Sequence, residues 1–305
     1  MNDVNSQAPV FRGMTRAELD RQYNNRAYLP NSAELIARYE MLSRPIREMN
    51  RSVRLSYGVG PSSALDLYRP ADTSTDRLPV HVFVHGGAWQ SQSAAESAFV
   101  APSTLAAPGI FVALDFDLVP DARLPSIVEQ VQGAIAWLAR NVAAHGGDPD
   151  QIMVSGHSSG GHLAAMLLTT DWTRYGLPAD LIKAGIVVSG MYDLEPVRLT
   201  YRNELLKLTP EEAAALSPIR FRPTVVGPIL VAVSENETDE FRRQARDVVT
   251  AWRDMGADVR FLQLDGLNHF NCIETIADAS APLGESVVRF LRRNRNEGRE
   301  RVPSR

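Results

Sequence analysis

Residues 152–161 read Ile-Met-Val-Ser-Gly-His-Ser-Ser-Gly-Gly. A short apolar run, Ile152 to Ser155, suits a buried strand, and the segment from Ser159 to Leu168 (SGGHLAAMLL) favours a helix. Between them Gly156-His157-Ser158-Ser159-Gly160 fits G-x-S-x-G, the pattern of a sharp strand-to-helix turn that lifts a serine clear of the backbone. Such a turn holds its central residue in strained geometry, and side chains at the flanking positions would strike the adjoining strand or helix; hence Gly156 and Gly160. The reading makes Ser158 a nucleophile, with the free amides of the following helix directed at the anion formed on a substrate. Isolated matches to this pattern also occur by chance, so the rest of the chain has to carry the argument.

Upstream, the strand-like run Val80 to Val84 (VHVFV) enters His85-Gly86-Gly87-Ala88-Trp89. Two consecutive glycines let a chain turn its amides into a site, and each such donor to an oxyanion is worth about 3–4 kcal/mol in the transition state. The backbone N–H groups of Gly86 or Gly87, Ala88 and Ser159 are assigned that role. His85, at the strand's end, reads as a loop-holding residue, and Trp89 either lines a pocket or caps the core.

Downstream, a triad built on this turn places its acid and then its base after the serine. Two histidines follow Ser158. His162 lies one helical turn along and should face away, whereas His269 lies in a loop after the run Phe261 to Leu264; His269 is the expected base. The segment SENETDEF after Ile229 to Val233 supplies Glu235, Glu237, Asp239 and Glu240. Asp239 and Glu240 suit the start of a helix, where carboxylates meet unpaired amides. Glu235 and Glu237 remain as equal candidates on this ground.

Around these motifs, apolar runs at 80–84, 110–116, 152–155, 184–189 and 229–234 alternate with helical patterns at about 125–144, 159–170, 196–216 and 239–256. A strand near 259–264 and a helix near 284–293 follow, and 51–58 with 64–68 read as an opening antiparallel pair. This is an α/β chain with a mostly parallel sheet covered on both faces. Residues 1–50 form a helical extension or cap, 51–293 the catalytic domain, and 294–305 a charged tail expected to be disordered. Composition agrees with one large globular unit: 305 residues, 44% hydrophobic and 22% charged. A formal charge of −4 argues against polyanionic partners. The one cysteine, Cys272, excludes an internal disulfide and reads as buried and inert. No apolar stretch reaches membrane-spanning length and the opening residues lack the order of a secretory signal, so a soluble, cytoplasmic protein is expected.

The segments QYNNRAYLP, LDLYRP, VFVHGGAW, GGDPDQIMVSGHSSGGHLAA, VVSGMYDLEPV, ALSP, ETDEFRRQ and LNHF together resemble the kynurenine formamidase-like branch of the α/β-hydrolases, related to hormone-sensitive-lipase-type esterases. The resemblance implies an eight-stranded α/β-hydrolase fold and selects Glu237, which precedes Thr238-Asp239-Glu240-Phe241, as the acid. The family more often carries aspartate there. A second departure is Phe116-Asp117-Leu118-Val119-Pro120, where related esterases have a tyrosine-arginine pair.

The function expected is serine hydrolysis of a small carboxylic ester or aryl formamide through an acyl-enzyme, without metal or organic cofactor. The rival is a ligand-binding protein on a hydrolase scaffold. Trp89, Tyr192 and Tyr23, with Asn24 and Asp193, are the pocket candidates. The expected partner is a small ester or amide; a homodimer is left open, and neither nucleic acid nor membrane is expected.

Overall fold

Strand-length apolar runs become eight strands of one sheet in the computed structural model, which describes residues 8–49, 52–71 and 77–300, with side chains to Arg292. They are β1 (Ser52–Ser56), β2 (Ala64–Tyr68), β3 (Leu78–Val84), β4 (Ile110–Leu114), β5 (Gly147–His157), β6 (Ile182–Val188), β7 (Ile229–Asn236) and β8 (Val259–Asn268). The spatial order is β8-β7-β6-β5-β3-β4-β2-β1. β1 and β2 pair antiparallel, β2 runs antiparallel to β4, and every other neighbour is parallel. Arg51, the first residue of the expected opening strand, lies outside the described residues.

Residues two apart on a strand share a face, and the inner strands are apolar on both. Val80, Val82 and Val84 of β3 enter one core, with Ile127, Val131, Ile135 and Leu138 of α3 (Leu124–Asn141) and with α4 (Ser159–Leu168). Phe83 enters the other, with Phe99, Leu283, Val287 and Leu291. Each fully buried aliphatic side chain adds about 1.5–3 kcal/mol, so the two layers clamp the sheet that carries β5 at its centre. α5 (Asp239–Asp254) buries Phe241, Ala245, Val248, Val249 and Trp252, together with Glu240 and Gln244.

The N-terminal residues form two helices used below, α1 (Arg16–Gln22) and α2 (Ser32–Met49). Thr15 opens α1 with a capping box: Glu18 N–H donates to Thr15 Oγ1 (3.3 Å), and Thr15 N–H donates to Glu18 Oε2 (2.8 Å). α2 is fastened to the rest of the chain. Tyr39 stacks on Phe99, Ser43 Oγ accepts from Phe99 N–H (3.0 Å), and the Tyr39 hydroxyl donates to the main-chain oxygen of Phe270 at 2.6 Å.

Two expectations need correction. The segment expected as one helix over 196–216 is three short helices, Glu195–Arg198, Asn203–Leu206 and Pro210–Ala215. Lys207 ends the second in the left-handed region, and Thr209 and Glu212 form a capping box that starts the third afresh with Pro210 in its first turn. The last helix, α6 (Pro282–Glu300), also continues past residue 293 into the expected disordered tail. Residues 301–305 of that tail lie outside the described residues. No helix among the described residues is long and apolar enough to cross a membrane.

Candidate active site

Ser158 sits at the C-terminal end of the central strand β5, where α4 begins. Its backbone adopts φ 55 and ψ −123, a conformation that a residue with a side chain occupies only under strain. The surrounding glycines make the turn possible. A Cβ on Gly156 would lie 2.1 Å from the Gly160 carbonyl oxygen, and one on Gly160 would lie 2.1 Å from that of Val84. No rotamer relieves contacts between a Cβ and backbone.

Three side chains far apart in sequence meet here. His269 Nε2 is 3.0 Å from Ser158 Oγ, and His269 Nδ1 is 2.8 Å from Glu237 Oε2. An ionised carboxylate only accepts, so it assigns the ring proton to Nδ1 and leaves Nε2 a lone pair aimed at the serine hydroxyl. Glu237 is almost fully buried, and its other oxygen accepts from the Ser189 hydroxyl and from Ser234 N–H (3.0 Å). Burial acts to raise its pKa, but the electrostatic attraction of His269 and the bonds from His269, Ser189 and Ser234 outweigh it and hold the carboxyl below its ordinary value. Glu235 is elsewhere: exposed, with Oε2 accepting from Gly266 N–H at 2.7 Å.

The loop after β3 lies against this row. Gly87, Ala88 and Trp89 all have positive φ, at 96, 58 and 59. At Gly87 a Cβ would fall 2.1 Å from the Ser91 carbonyl oxygen, so only glycine fits. Trp89 N–H donates to Ser159 Oγ (3.2 Å), tying the loop to the elbow helix. Among the described residues no protein acceptor takes the amide hydrogens of Gly87, Ala88 or Ser159. A Cβ on Gly86 would press on the His157 carbonyl oxygen at 3.0 Å. His85 holds this loop: its Nδ1 meets the Gly86 carbonyl oxygen at 2.9 Å and its ring stacks on Phe116 at 4.3 Å. Phe116 thus has a packing role beneath this loop.

Ser158, His269, Gly87 and Ala88 border a cavity of about 450 Å³, closed from above by Asn24, Asn25, Arg26 and Ile36 of the N-terminal segment and by Tyr201 and Arg202. Its lining carries two guanidinium groups and no carboxylate among the described residues. Asn24 lines the cavity. Trp89, Tyr192, Tyr23 and Asp193 do not, which corrects those pocket assignments. Trp89 is wholly buried edge-on to His162. Tyr192 turns inward, its hydroxyl accepting from Gly190 N–H (3.2 Å). Tyr23 donates its hydroxyl to Glu240 (2.9 Å) and accepts from Gln244 Nε2 (2.6 Å). Asp193 accepts from Glu195 N–H (3.2 Å), starting a short helix. For Tyr192, Tyr23 and Asp193 a protein partner takes the polar group that would have served a ligand, whereas the Trp89 indole N–H is buried away from the cavity without a partner.

The remaining singled-out groups are structural in placement. His162 meets the Leu216 carbonyl oxygen at 2.8 Å, away from the cavity. Cys272 is buried, its thiol pushed up to about 12 chiefly by burial. Asn25, Arg26, Tyr201 and Arg202 carry no chemical motif, and no pattern in the sequence marks them as cavity residues.

The family model described as BD-FAE matches residues 65–180. The chain is 32% identical over 293 residues to a protein of Danio rerio named kynurenine formamidase, covering 92% of this chain and 98% of that one. It is also 32% identical to esterase LipC of Mycobacterium tuberculosis, over 78% of this chain and 64% of the relative. A solved structure from Silicibacter sp., provisionally labelled a thioesterase, superposes with a TM-score of 0.76 at 30% identity, covering 88% of this chain and 98% of that one. A Pyrobaculum calidifontis esterase with a TM-score of 0.65 and 20% identity, over 87% of this chain and 93% of its own, shares the fold.

Proposed function

The chain belongs to the kynurenine formamidase-like branch of the α/β-hydrolases and is an ester or amide hydrolase, and from that premise we propose that Ser158, His269 and Glu237 form its catalytic triad. His269 Nε2 takes the proton as Ser158 Oγ attacks the substrate carbonyl, and Glu237 keeps the imidazole in the tautomer that can do so and stabilises its charged form. The oxyanion rests on amides of Gly86 or Gly87, Ala88 and Ser159. His269 then protonates the leaving group, and water, activated by the same histidine, releases the acid from the acyl-enzyme.

The observation that carries this reading is the unbroken hydrogen-bonded line from Ser158 through His269 to Glu237, at 3.0 and 2.8 Å, ending on the cavity floor. Three amides free of protein acceptors beside it support the oxyanion role. A cavity of about 450 Å³ suits a small substrate built around one aromatic ring, a compact ester or an aryl formamide. A substrate with a cationic end is disfavoured beside Arg26 and Arg202.

One panel tests it: short and long nitrophenyl esters, N-formylkynurenine and an anilide, with wild type and Ser158→Ala. The reading expects turnover of short esters or the formamide by wild type, and none above background by a Ser158→Ala variant of unchanged melting temperature. Full activity in that variant would refute the triad, and a folded wild type inert on the whole panel would favour the ligand-binding alternative.

A further inference from the structure

His157 is a polar residue of the elbow for which the triad has no use, yet it lines the cavity while only 4% exposed. Its Nε2 lies 2.7 Å from the main-chain oxygen of His269. A carbonyl oxygen only accepts, so this nitrogen carries the ring proton and donates it, tying the elbow to the loop that bears His269. Burial, reinforced by the neighbouring His269, pushes the His157 pKa down to about 3, so the ring is neutral at ordinary pH and Nδ1 keeps its lone pair.

Nδ1 has no hydrogen-bond partner among the described residues. It is not sealed off, because His157 lines the same cavity that Ser158 borders. A substrate bound in that cavity can meet both the nucleophile and this acceptor. An acceptor held in one tautomer calls for a donor. The leaving oxygen of an ester has no hydrogen to offer, whereas the nitrogen of a secondary amide or formamide has one.

We propose that His157 is a specificity-determining residue whose Nδ1 accepts a hydrogen bond from the N–H of an amide-type substrate positioned for attack by Ser158, favouring amides and formamides over matched esters. The proposal rests on the hydrolytic reading above. It concerns the choice between two substrates of that reaction, not whether the reaction occurs.

The matched pair is formanilide and phenyl formate, identical in acyl and aryl groups and differing in N–H against O. In His157→Gln the carboxamide nitrogen can still donate to the His269 carbonyl, but nothing accepts at the Nδ1 position. The ratio of kcat/KM for formanilide to that for phenyl formate should fall roughly tenfold, as expected when a bound donor loses its partner. N-methylformanilide gives a second readout that needs no variant: lacking the N–H, it should be roughly tenfold poorer than formanilide with wild type, and the gap should shrink in His157→Gln. A formanilide to phenyl formate ratio within twofold of wild type in a folded His157→Gln that turns over both substrates would overturn the acceptor role and leave the hydrolytic reading standing. Wild type inert on both substrates would bring down the two together.

Discussion

Replacing Glu237 by Gln changes one atom and should reverse the polarity of the site. Oε1 of Glu237 accepts from Ser189 and from Ser234 N–H, and a main-chain amide can only donate. The carboxamide of a Gln at this position must therefore turn its oxygen toward Ser234, which leaves its NH2 facing His269 Nδ1 across the present 2.8 Å. Two donors cannot share that bond, so Nδ1 gives up its proton and Nε2 takes it. His269 then presents an N–H to Ser158, where the mechanism needs a lone pair. The equivalent loss in a serine protease triad is about 10⁴ in kcat, or about 5.4 kcal/mol at 1.36 kcal/mol per tenfold. The assay is kcat and KM on the best substrate of the panel, with the melting temperature as the control for folding. Glu237→Gln should lower kcat by about three to four orders of magnitude with little change in KM. Glu235→Gln, which alters only an exposed bond to Gly266 N–H, should stay within about threefold of wild type. A folded Glu237→Gln retaining more than a tenth of wild-type kcat would refute the tautomer argument, and comparable losses in both variants would refute the choice of acid.

Two further predictions concern the loop and the fold. Gly87→Ala must place a Cβ 2.1 Å from the Ser91 carbonyl oxygen at φ +96, so the loop has to move; kcat should fall about a hundredfold or more, and an active, unshifted variant would show that these amides are not the oxyanion donors. His81, His157 and His162 are held by burial at about 3, 3 and 4, below the ordinary 6.5, and His85 is lowered as well. Their folded pKa values are depressed, so between pH 6.5 and these values the unfolded chain binds protons that the folded chain refuses, and stability drops as pH falls. Each such group adds up to about 1.4 kcal/mol per pH unit inside that window. Urea midpoints measured from pH 7.5 to 4.5 should slide downward from about pH 6.5, and a flat profile over that range would contradict the buried neutral histidines.

The elbow was legible in the sequence because its physics is local. A strand, a turn too tight for Cβ atoms and a helix occupy consecutive residues, so Gly156 and Gly160 announce the geometry that surrounds Ser158. His269 was legible by chain order, since His162 points back into the protein. Glu235 and Glu237 were not separable, because the difference lies outside their own segment: Ser189, just after β6, reaches Glu237, and Gly266 near the end of β8 occupies Glu235. The pocket was the least legible part. Tyr23 and Tyr192 looked available as aromatic residues near the site, but Glu240, Gln244 and Gly190, distant in sequence or hidden in a turn, take their hydroxyls. The cavity is roofed instead by Asn25, Arg26, Tyr201 and Arg202, brought over Ser158 by the N-terminal segment and by the short helices into which the 196–216 pattern breaks. Periodicity finds elements that pack by themselves; it does not find residues whose position depends on two segments meeting.

The most direct test of the triad is covalent. Folded protein treated with a fluorophosphonate, then digested and mapped by mass spectrometry, should carry a single adduct on Ser158, formed rapidly in wild type and at least a hundredfold more slowly in His269→Ala. No adduct on folded wild type, an adduct on another serine, or equal labelling rates in the two proteins would contradict the account.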